Sequence, residues 1–115
     1  MKRKIIVTTT NDIVGRQVVE YLGIVRGIVV RSAGLGKNIM GGLAALGGGN
    51  ISQFEEVCED ARKEAHIRMV EHAREREADA IIGMRYDANE FSQSITEVLA
   101  YGTAVVLNDV VGGVA

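Results

Sequence analysis

SQFEEVCEDARKEAHIRMVEHARERE, residues 52–77, reads as one long helix. Phe54, Val57, Cys58, Ala61, Ala65, Met69 and His72 fall within one face at 100° per residue, with Glu56, Lys63 and Arg74 opposite. Glu59–Lys63 and Glu64–Arg68 sit four apart with the acid first, the favourable order for helix pairs. The start is Asn50 or Ser52; each has a capping partner three residues on, Gln53 and Glu55 respectively, so spacing leaves both open.

Downstream of this helix, Ala80 to Tyr86 is short, apolar and β-branched, and reads as a strand. Asp87 to Gln93 reads as a polar turn. Ser94 to Leu107 is a further strand with a break at Gly102, and Asn108 to Ala115 is either an extra short strand or a disordered tail. Upstream, Lys4 to Thr10 is a first strand, and Asn11-Asp12 starts a turn. Arg16 to Arg31 is a second, longer strand in which Gly23 and Gly27 predict bulges or bends. Ser32 to Gly36 is a glycine-rich connection. Lys37 to Leu46 reads as a short helix weakened by Gly41 and Gly42 and ended by Gly47-Gly48-Gly49. The expected fold class is α+β: a two-layer antiparallel sheet with one long and one short helix, as a single domain over residues 1–115.

Composition narrows the roles open to such a domain. Apolar residues are 47% and aromatics 4%, so the core must be aliphatic. Thirteen basic against fifteen acidic residues leave no clustered basic face for nucleic acid. Ile5-Ile6-Val7 after the basic start is too short for a signal peptide, and the longest apolar stretch, Ile39 to Leu46, is too short to span a membrane. The single Cys58 excludes an internal disulfide framework and CxxC-type sites. These readings favour a cytoplasmic protein with no nucleic-acid or membrane partner.

Chemistry-bearing residues are sparse. Gly34-Leu35-Gly36 lacks the third small residue of a dinucleotide fingerprint, since Ile39 stands there. A phosphate loop would need Ser or Thr in place of Asn38 and Gly in place of Arg31. Lys37 leaves a weak anion site as the minor reading. Cys58, His66 and His72 are the soft-metal candidates, with Met69 and Met84 of matching type. Cys58 and His72 are separated along one helix by about 21 Å, so a single chain does not bring both to one ion. The expectation is a buried Cys58 thiol, a hydrogen-bonded His72 and a surface His66. Asp79, Asp87, Glu90 and Glu97 are the acid–base candidates. Asp79 is expected to tie down backbone, Asp87 and Glu90 to be hairpin residues, and Glu97 to face solvent or pair at an interface. Arg26, Arg31 and Arg85 could hold an anion across strands, but edge protection or bridging between subunits is the favoured reading. No catalytic residue, metal ligand or cofactor is assigned.

Several segments in order resemble the YbjQ-like family, which carries a heavy-metal-binding label. They are Val7-Thr8-Thr9-Thr10, Glu20-Tyr21-Leu22-Gly23 with Val25 and Gly27, Gly48-Gly49, Phe54-Glu55, Ala78-Asp79-Ala80-Ile81-Ile82-Gly83 and Gly102-Thr103-Ala104-Val105-Val106. The likeness covers nearly the whole chain. It implies an antiparallel sheet with helices on one face and a ring of five subunits. Where that family has an Arg-Ser pair and Tyr-Glu after the glycines, this chain has Asn50-Ile51-Ser52 and Phe54-Glu55, losing two polar groups.

The strands themselves ask for more cover than one chain supplies. Ile5-Ile6-Val7, Ile28-Val29-Val30, Ile81-Ile82 and Ala104 to Leu107 are apolar in both phases, whereas a sheet with one wet face alternates. A neighbouring subunit is the expected cover, docking by extension of unpaired strand edges. The resulting expectation is a non-enzymatic, ring-forming homo-oligomer that binds a small ligand or metal ion at subunit interfaces. The alternative is an enzyme whose active site is shared between subunits.

Overall fold

A computed structural model describes residues 4–32, 52–92 and 95–109. It contains strand β1 (Ile6–Val7), strand β2 (Val18–Ser32), helix α1 (Ser52–Glu75), strand β3 (Ala80–Ser92) and strand β4 (Ile95–Leu107). The short helix expected at Lys37–Leu46, the Gly34-Leu35-Gly36 motif and the tail beyond Asp109 lie outside the described residues.

Helix α1 is described from Ser52 onward, and Asn50, the other candidate start, lies outside the described residues. It ends in a hydrogen-bonded stop with no glycine. Ala78 N–H reaches Ala73 C=O at 3.1 Å and Glu77 N–H reaches Arg74 C=O at 2.9 Å, with Glu77 at a φ of 60°. This is the paired 6→1 and 5→2 pattern in which one residue turns left-handed. Ala73 and Ala78, the apolar contact that accompanies the pattern, are both buried. Ala61, Ala65 and Met69 are buried as the periodicity predicts.

The four strands form one sheet in the order β1-β3-β4-β2. The β2–β4 and β3–β4 pairs are antiparallel, as expected, but β1 lies parallel to β3, so the sheet is mixed. The α+β class stands. β1 is only two residues long because the threonines after it turn the chain. Thr10 N–H donates to Thr8 Oγ1 at 3.1 Å, and Thr10 Oγ1–H donates to Asp12 C=O at 2.8 Å. Backbone bonds to β3 continue past the turn, from Thr8 N–H to Ile81 C=O at 3.0 Å, from Met84 N–H to Thr8 C=O at 3.0 Å and from Gly83 N–H to Thr10 C=O at 2.8 Å.

β3 runs six residues beyond its expected end, through Asp87–Ser92. Pairing of Asp87 with Leu99, Ala88 with Val98 and Asn89 with Glu97 overrides the turn-like composition of this stretch. The glycines have three different roles. Gly23 marks a bulge, with a register shift and a φ of 97°. Gly27 marks no bulge. A Cβ there would lie 2.0 Å from Ala65 O and 2.5 Å from Met69 N, so glycine lets the helix backbone rest on β2. Gly102 does not interrupt β4; the irregularity is in β3, where register shifts between Ile82 and Arg85.

The core lies between α1 and the sheet. Val25, Val29, Ile81, Met84, Val98, Ala100 and Ala104 meet Ala61, Ala65, Met69 and Ala73 there. On the opposite face, Ala80, Ile82, Val105 and Leu107 form a second, smaller cluster, covered by Ile13 and Val18. The chain therefore covers one end of its own outer face. No helix among the described residues is long and apolar enough to cross a membrane.

Candidate functional site

Register assigns each strand residue to a face, because residues opposite one another in a sheet share a side. Ile24, Arg26, Ile28 and Val30 of β2 oppose Thr103, Tyr101, Leu99 and Glu97 of β4, all facing away from α1. The Ile13 cover does not reach this region: Ile24 is 63% exposed and Val30 53%. Val19 and Tyr21 extend the exposed apolar residues toward the start of β2.

The outer edge of β2 is not open in the way expected from sequence. Arg76 Nη1–H donates to Leu22 C=O at 2.9 Å and to Ile24 C=O at 3.3 Å. His72 Nδ1 accepts from Arg26 N–H at 3.1 Å, and Arg68 donates to Ile28 C=O at 2.6 Å. Arg68, His72 and Arg76 recur every four residues, so one line of helix side chains follows the strand. They occupy edge groups between Leu22 and Ile28 that a docking strand would need. Extension of the sheet through this stretch would first have to displace them.

A trough opens on the helix side of β3. Tyr86 pairs with the buried Ala100 and so faces α1, but the helix lies over β2 and β4 and leaves it 42% exposed. Glu59, Arg62, Lys63 and His66 form one lateral stripe of the helix and complete a trough of about 300 Å³. The Arg62 guanidinium carbon stands 5.8 Å from the Tyr86 ring centre, within cation–π range. The anticipated Glu64–Arg68 ion pair forms, and Arg31 joins it at 3.0 Å. The hydrogen bond from Arg31, then the charge of Arg68, lowers the Glu64 carboxyl below its ordinary range. Glu59 and Lys63 make no ion pair with each other among the described residues; both line the trough.

The candidate residues from sequence do not converge. Cys58 is exposed, not buried as expected, although it shares the angular face of Ala61, Ala65 and Met69 one turn before them. His72 is the hydrogen-bonded histidine anticipated, and His66 lines the trough. Met69 and Met84 are core residues. Asp79 ties backbone as expected, its Oδ2 accepting from Leu107 N–H at 2.8 Å. Asp87 and Glu90 are exposed on β3, and Glu97 accepts from Asn89 Nδ2 at 3.3 Å across the strands. Of the three arginines, Arg31 turns to the helix side, while Arg85 donates to Thr9 C=O at 3.0 Å and Met84 C=O at 2.8 Å. Arg26 shares its cross-strand row with Tyr101 and Arg85. The sequence assigns Tyr86, Arg62 and Lys63 no functional role. The one signal available was the 59, 62, 63, 66 spacing, which any solvated helix face could show.

A family model described as "Putative heavy-metal-binding" matches residues 5–108. The chain belongs to the YbjQ family. The UPF0145 protein of Legionella pneumophila strain Lens is 50% identical over 103 residues, covering 90% of this chain and 98% of that one. The UPF0145 protein YG5714_0873 of Saccharolobus islandicus is 52% identical over 101 residues, covering 88% and 89%. A crystal structure of a protein of unknown function from Pediococcus pentosaceus, of the DUF74 family, has a TM-score of 0.55 at 16% identity. It covers 90% of this chain and 98% of that one, and shares the fold.

The YbjQ description raises the question of a metal, and the side chains present can be tested for fit. Among the described residues, no group of three or more His, Cys, Asp and Glu side chains is placed to hold an ion. His72 spends Nδ1 on the β2 edge, and His66 stands beside Arg62 and Lys63, whose charge opposes a cation. The described part of a single YbjQ chain does not fit a metal centre.

Proposed function

We propose that this chain is a subunit of a closed homo-oligomeric ring in the cytoplasm, binding a small ligand or ion without catalysing a reaction. The observation that carries the assembly is the exposed apolar strip of β2, Ile24, Ile28 and Val30, on the face away from α1. Several large apolar residues exposed on one sheet face, here with Arg26 among them, are a mark of an interaction surface. A second copy is the favoured cover, since the resemblance to the YbjQ-like family implies a ring and head-to-tail contacts close into rings. Five subunits is the number implied by the resemblance. The occupied stretch of the β2 edge supports docking through the face rather than by strand addition there.

Light scattering after size exclusion at micromolar concentration tests this reading. The expected result is a single species at about five times the 12.4 kDa chain mass. A folded species at the chain mass itself would end the assembly reading, and a closed ring of another size would correct only the number.

A further inference from the structure

The geometry points to the trough between α1 and β3 as a binding site for a small planar organic anion, one aromatic ring carrying a carboxylate or phosphate. Its lining explains that class. Tyr86 offers a half-exposed ring at the floor, where a second ring can stack or meet it edge-on. Arg62, held over that ring at 5.8 Å, and Lys63 beside it supply two positive side chains. Most other cations near the helix are already engaged. Arg68 and Arg31 pair with Glu64, Arg74 with Glu71, and Arg76 with backbone carbonyls of β2. Arg62 and Lys63 have no carboxylate partner among the described residues, although Glu59 stands four residues before Lys63 in the order that favours a pair.

The planar guanidinium matches the two oxygens of a carboxylate or phosphate, and the ammonium adds a point charge that tolerates either. Glu59 and His66, at the two ends of the lining stripe, add an acceptor for a ligand hydroxyl or amine and a ring nitrogen for a further hydrogen bond. A volume of about 300 Å³ is at the small end for ligand sites and suits one ring rather than a dinucleotide. All five residues come from one chain, so the site does not depend on the assembly proposed above.

Phenyl phosphate, inorganic phosphate and phenol, titrated separately and followed by amide chemical shifts, test the site. Phenyl phosphate is expected to saturate, to shift the amides of residues 59–66 and 85–87, and to bind about fivefold or more tightly than either fragment. Tyr86→Ile, which keeps a strand-forming side chain, should reduce its affinity to that of inorganic phosphate. Arg62→Gln with Lys63→Gln should reduce it to that of phenol and remove its salt dependence. Equal binding of phenyl phosphate and phosphate, shifts centred elsewhere, or unsaturable binding would each overturn the proposal. Both variants lie on half-exposed or exposed positions, and unchanged far-ultraviolet circular dichroism would confirm that they fold.

Discussion

Glu64 is the point at which two elements share one charge. Arg31 reaches it from β2 and Arg68 from one turn along α1, and together they hold its carboxyl below the ordinary 4.5. A carboxyl depressed in the folded state contributes stability at neutral pH, and that contribution is lost as pH falls through the lowered folded value. The loss begins as pH drops below about 4.5. Glu64→Gln should therefore lower Tm by a few degrees at pH 7, and the gap from wild type should close in acid. Thermal melts at pH 7, 5 and 3 measure this. A constant gap at all three would mean that the carboxylate is not the origin of the effect.

Between elements, the closest approach is that of α1 to β2 at Gly27. The atoms a Cβ would meet are helix backbone, Ala65 O and Met69 N, and backbone cannot swing aside as a flexible side chain can. Gly27→Ala should force the helix off the strand, strain Arg68 and His72 away from the β2 edge, and cost about 1–3 kcal/mol. For a domain of this size that corresponds to a fall in Tm of roughly 5–15 °C, readable by circular dichroism. Weaker hydrogen-exchange protection at Arg26 N–H should accompany it, since that group depends on His72. A wild-type melt would show that α1 is not seated as described.

At the largest scale, the described residues form an elongated body, 60 × 27 × 23 Å, with a radius of gyration of 18.1 Å. A compact domain of this length would have about 13 Å. The β3–β4 hairpin and β2 reach past what one helix of about 36 Å can cover. Replacing Ile24 and Ile28 by Lys adds charge to the exposed face without touching the buried core, so each chain should still fold. Light scattering should then show the assembly reduced to smaller species, with circular dichroism unchanged. Retention of the wild-type mass would place the contact on another surface.

Periodicity alone located α1, because a 24-residue amphipathic segment reports its buried face through local spacing. The four strands were legible for a similar local reason, as was the family, whose signature segments lie in order along the chain. Apolar residues in both phases also signalled two faces in need of cover, though not that Ile13 would supply part of it. What the tertiary structure decided depends on which segments meet. The parallel β1 edge, the extension of β3 through Ser92 and the bulge opposite Gly102 follow from strand pairing, which composition does not specify. Gly27 read as a bulge or bend in the strand, yet its role comes from a helix described from 25 residues later. His72 was legible as a hydrogen-bonded histidine on the inner face, but that its partner, like that of Arg76, is the β2 edge follows only from the helix lying along that strand. The trough exists because Tyr86, one strand beyond the helix, shares a face with Ala100, and that juxtaposition is a property of register rather than of any short run of residues.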